Sequence, residues 1–382
     1  CGNLLVGAAG VGDGFVDCLQ ANSNVTTRFL TVGQAAGTGS GTLQFQIGAT
    51  LNVTDPGSST IVRSTGLLFI ASTSIMTTPG TITVAAGGGL TVGGIVTGAA
   101  LIDVSGVMES SASNVEAPVV NAPVRLRIGG LLEVISDDIR VGSAASTSGF
   151  AADLGSTIAI GAHTLTLHDA DESIVGGVTL AGGTLAAPNG IEILNNGAID
   201  GTGTITTPEL FYNSGGGVIT ATGAAGITIN GLLRNNSGNI DGTTFTFTGA
   251  GGGWTGAGGI NAKAQFDAGT IITALANMTI GDGSSTGATF NGVIHLGREN
   301  LTIFDSNGCA LGTLTDMDGG DLTSVNGLVV NNGRVLRGHG DIAVSNASLT
   351  VFGIISPDRF NAVIDVYEGL GDFNVGGAYS QG

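Results

Sequence analysis

The chain of 382 residues carries 69 Gly, only 10% charged side chains and a formal net charge of −18. It is too apolar for disorder, lacks the G-X-Y period of collagen, and has too few charged residues for long solvated helices. Its 11 Lys and Arg make no basic face, so neither nucleic acid nor anionic lipid is expected as a partner.

Residues 1–30 read as a separate N-terminal segment. Cys1 and Cys18 there suit a disulfide in an oxidising compartment, and the segment is also a candidate assembly contact. The competing reading makes Cys18 and Cys309 buried thiols. An opening Cys in place of Met fits a processed export. From residue 31 to 382 the pattern is one continuous array, with irregular stretches near 105–125 and 250–265. Patches of three to six residues alternate β-branched residues or Leu with Thr, Ser or Ala. Examples are Thr42–Ile47, Thr81–Val84, Thr164–Leu167, Thr204–Thr206, Gly226–Ile229 and Phe245–Thr248. Gly87–Met108 is long enough to cross a membrane, but it contains Asp103, seven Gly and a two-residue alternation. It predicts short strands, and no membrane span is expected.

A second period overlies the first. The unit Gly-x-x-[LI]-x-[VI] begins at Gly48, Gly87, Gly129 and Gly155, in steps of 39, 42 and 26 residues. A step near 40 is two turns of about 20 residues, the range of solenoid repeats. Such strands bury their apolar side only against copies of themselves, about 4.8 Å away. Gly and Asn supply corners, and Asn at equivalent corners can form ladders. The expected fold is therefore all-β, a parallel β-helix of roughly 19 coils at about 20 residues each. A sandwich or barrel is the lesser alternative.

The C-terminal run Val351–Asp358, followed by Gly371–Gln381, resembles a "G-x-[IL]-S-P-G" turn and a "G-x-[LF]-x-V-x-G-x-Y-x-Q" strand. Asp358 replaces the turn Gly, and 12 residues intervene. This motif and the repeat style resemble β-helical passenger regions of bacterial autotransporters and related secreted, repeat-rich surface proteins. The resemblance implies export, a right-handed helix and an extracellular or surface role. It implies no activity.

Few residues suggest chemistry. Gly338-His339-Gly340 is similar to a signature of β-helical polygalacturonases, with Asp137-Asp138 as an acidic pair to offer as its partner. About 200 residues separate them, and Gly-x-Gly is part of the local repeat. No enzyme is expected. Asp316, Asp318 and Asp321, with Asp305 upstream, are a weak Ca²⁺ candidate, because a hard cation needs several oxygens on a tight turn. Asp169, Asp171 and Glu172 are a weaker one. No other cofactor is implied. Trp254, if exposed, can stack on a sugar ring. The expected function is an extracellular structural subunit that self-associates end to end into a filament, layer or coat. The alternative is a monomeric adhesin that binds glycans or surfaces.

Overall fold

A strand whose every second side chain is apolar gains a core and main-chain bonds when a copy lies beside it. The computed structural model is built this way. It describes residues 3–7, 14–18, 23–34, 39–57, 60–112, 117–146, 149–212, 217–235, 239–283, 287–346, 348–356, 373–375 and 378–381. The chain divides into two compact units, Cys1–Ile199 and Asp200–Gly382. Each is a parallel β-solenoid.

In the first unit laps of three short strands run as far as Thr164–His168, each strand pairing in parallel with its counterpart one lap later, and the 14-residue strand Ser173–Ala186 then continues all three faces. One face stacks Asn3–Val6, Phe29–Val32, Thr60–Val62, Thr81–Val84, Leu101–Val104, Val124–Leu126 and Phe150–Ala152. The second starts at Gly14–Cys18 and Gly41–Phe45, the third at Asn24–Thr27 and Thr50–Val53. Alternation fixes which side chains turn inward. In Thr81–Val84, Ile82 and Val84 are fully buried, while Thr81 and Thr83 are half-exposed. Inward columns run through the laps, as in Leu43, Leu68, Leu90, Met108, Leu132 and Ile158. Each such side chain contributes about 1.5–3 kcal/mol by leaving water.

The second unit has the same plan. One face steps through Glu209, Leu232, Gly253, Ile271, Val293, Leu314, Val335 and Ile354. Its core includes an aromatic stack. The Phe247 and Phe266 rings lie 4.6 Å apart and 3° from parallel, and Phe290 follows at 5.4 Å. In Asn239–Phe266 one continuous strand runs through the corners, with register shifts at Asn230/Leu232 in its pairing with Ile227–Asn235 and at Gly256/Gly258 in its pairing with Ile271–Ile280. Gly256 makes one of these bends at φ +136°, where a side chain would overlap the Asn235 carbonyl oxygen.

The number of coils differs from the sequence expectation. There are about 14 turns, not 19. Lap length varies from 18 residues (Gly89 to Val107) to 33 (Gly340 to Phe373), because the connections between register-matched segments differ in length. The step from Gly87 to Gly129 spans two laps of one face, and Gly129 to Gly155 spans one. Gly48 precedes a strand on a different face, so the step of 39 is not a multiple of a lap. Gly87–Met108 forms strands Gly89–Val92, Ile95–Thr97 and Leu101–Val104 and enters a fourth, Val107–Ser110. Among the described residues no helix is long and apolar enough to cross a membrane.

Candidate functional site

The outward side of each strand places one residue per lap in a column, so residues about 20 apart in sequence become neighbours. The most chemically dense column lies on the second unit. His295, Asp316 and Arg337 share one register position in three successive laps. Arg337 donates through Nε (3.1 Å) and Nη2 (2.7 Å) to Asp316 Oδ2. His295 Nδ1 lies 4.0 Å from the same oxygen. On the first unit, Arg127 donates to both Asp103 oxygens (2.5 and 3.0 Å), and Arg125 donates to Asp153. The Asp103 hydrogen bond, outweighing partial desolvation, holds the Arg127 guanidinium above its ordinary pKa. Arg234 pairs with Glu209 in the same cross-lap manner. These pairs staple adjacent laps, and at partly exposed positions each is worth about 0–1 kcal/mol.

The acidic residues singled out as cation ligands are dispersed. Asp316 is engaged by Arg337. Asp318 is exposed in a turn at φ +40°. Asp321 Oδ1 accepts the Asp341 N–H at 3.1 Å. Asp305 is 2% exposed and accepts the N–H groups of Ala288 (3.4 Å) and Asn307 (2.9 Å). Among the described residues no group of three or more His, Cys, Asp or Glu stands close enough to hold a metal. Asp169 repeats the role of Asp305. It is 3% exposed and accepts from Phe150 N at 2.9 Å and Asp171 N at 3.3 Å. Each carboxylate caps its own turn two residues on and ties it to a strand of the preceding lap. The shared spacing, Asp169-Ala170-Asp171 and Asp305-Ser306-Asn307, is a signal that sequence reading passed over.

A side-chain amide pair forms across equivalent bends, where Asn346 Nδ2 donates to Asn326 Oδ1 at 3.5 Å. Other asparagines bridge laps from strand positions: Asn52 Nδ2 donates to Asn24 Oδ1 at 3.1 Å, and the Asn300 backbone N–H donates to Asn277 Oδ1 at 3.1 Å. Asp138 does a related job, accepting the Thr164 N–H at 2.6 Å, with His163 3.8 Å away. Asp137 and Asp138 belong to the first unit and His339 to the second. His339 Nδ1 is buried without a partner.

Trp254 requires a correction. It is fully buried, in register between Leu233 and Ile272, and so offers no platform to a sugar. Its glycine-rich flanks are corners of the coil, and the indole fills the interior. Cys309 is a buried free thiol whose pKa burial pushes far up. Cys1 and the side chain of Cys18 lie outside the described residues, as do residues 357, 358, 371, 372, 376 and 377 of the C-terminal motif. No protein-family profile matches the chain, and no curated protein matches it.

Proposed function

We propose that this chain is an extracellular structural subunit, a β-solenoid that joins end to end with copies of itself. One observation carries the reading. The pairings among the described strands are parallel and join one lap to the next in register, so the edge of a lap fits another lap of the same chemistry. In this reading a lap of a second copy supplies that fit, and Val16, inward and 36% exposed against 0% for its register partner Leu43, is the position at which to disturb it. Placement outside the cell rests on the resemblance in repeat style described above.

Sedimentation velocity over a wide concentration range, with negative-stain microscopy, tests this. The expected result is rods that lengthen with concentration, and a Val16→Lys variant that no longer lengthens end to end, with an unchanged strand spectrum. Monomer at every concentration in the unmodified chain would overturn the reading.

A further inference from the structure

Alternation normally sends Thr, Ser or Asn outward, and most outward columns of the second unit obey. Thr204, Thr228 and Thr246 form one such column, and Thr279, Thr302 and Thr323 another. One column breaks the rule in five successive laps. Ile271, Val293, Leu314, Val335 and Ile354 share a register position, and their neighbours Ile272, Ile294, Thr315 and Leu336 are the buried ones. The five are partly exposed, rising to 58% at Ile354. Two residues along each strand lies the polar column Thr273, His295, Asp316, Arg337 and Ser356. The face is thus an apolar ridge beside a row of both charge signs. A ridge confined to one column marks an interaction surface more than chance composition does.

We propose that this face packs side by side against the same face of a second copy, related by a two-fold axis parallel to the strands. That operation keeps the direction along each strand and reverses the order of the laps. With the axis between the Leu314 and Val335 laps, Leu314 meets the second copy's Val335, and Val293 meets its Ile354. Asp316 then faces the second copy's Arg337, and Arg337 faces its Asp316. Within the chain, Arg337 Nε and Nη2 already donate to Oδ2 of Asp316, so this row carries both charge signs side by side. The charge order decides the occupant. A partner of single sign would set like charges together at Asp316 or at Arg337, whereas the reversed copy matches both. Four laps overlap, a contact about 19 Å long at the strand spacing.

The test uses the full chain carrying Val16→Lys, so that end contacts cannot supply the mass. Sedimentation equilibrium should give a dimer. Leu314→Lys and Asp316→Arg should each weaken it by about tenfold or more, as one lost apolar contact or one like-charge encounter would. The double exchange Asp316→Arg with Arg337→Asp restores opposite signs across the axis and should recover the dimer. A monomer at all concentrations overturns the proposal, as does a dimer that Leu314→Lys leaves intact. Failure of the double exchange to recover association, with an unchanged strand spectrum, overturns the two-fold arrangement.

Discussion

The aromatic stack gives the sharpest test of the interior. Phe266 is 1% exposed and sits between Phe247 at 4.6 Å and Phe290 at 5.4 Å. Phe266→Ala removes a fully packed ring that lies between two others, so about 3–5 kcal/mol of stability should be lost. Phe266→Leu keeps most of the apolar volume but both stacked contacts go, at about 0.5–1.5 kcal/mol each. It should therefore cost about 1–3 kcal/mol. The assay is urea unfolding followed by far-ultraviolet dichroism. A double-mutant cycle of Phe247→Leu with Phe266→Leu then isolates one pair. A coupling of about 0.5–1.5 kcal/mol is expected. Strictly additive single losses, or a Phe266→Ala variant as stable as the parent, would refute the stacked interior.

Thr315 stands in an inward column between Ile294 and Leu336 with a buried, unpartnered hydroxyl, so Thr315→Val should raise stability by about 1 kcal/mol, read as a higher urea midpoint. Asp305→Ala leaves the N–H groups of Ala288 and Asn307 without their acceptor and should cost about 2–4 kcal/mol, with Asp305→Asn intermediate, in the same assay. Burial, then the nearby Arg140 charge, lowers the His168 pKa, so the folded state disfavours the protonated imidazole. The associated stability is present above the unfolded value of about 6.5 and is lost as pH falls below it. His168→Gln should flatten the decline between neutral and mildly acidic pH, and an unchanged pH profile would contradict this. Cys309 should resist alkylation in the native chain and react on unfolding, as mass spectrometry of its peptide can show.

The fold class was legible because two local signals agreed. Alternation as in Thr81–Val84 identifies a strand buried on one side, and Gly or Asn at its ends supplies a corner without a helix. The lap count was not legible. Nothing in the spacing of Gly48 and Gly87 reveals that the strands after them lie on different faces, and the connections between them are free to vary in length from lap to lap. Trp254 misled because a run of glycines reads as a surface loop, while here the strand continues through the bend and carries the indole inward. The apolar ridge was hidden for a related reason. In Ile271-Ile272-Thr273 or Val335-Leu336-Arg337, two adjacent apolar residues do not reveal which faces the core. Asp305 and Asp169 appeared as ligands because one sequence cannot distinguish a carboxylate aimed at a cation from one aimed at backbone N–H groups.

The central claim is that each lap lies flat and in parallel register on the one before. Nitroxide labels at outward positions of one column measure it directly, on a background with Cys1 and Cys18 changed to Ser. Thr42 and Val107 are three laps apart, and Thr42 and Thr157 are five. Pulsed electron resonance should find backbone separations of about 14 Å and about 24 Å, a constant increment of about 4.8 Å per lap. Separations that do not grow in proportion to the number of laps would contradict the solenoid and every inference drawn from its columns.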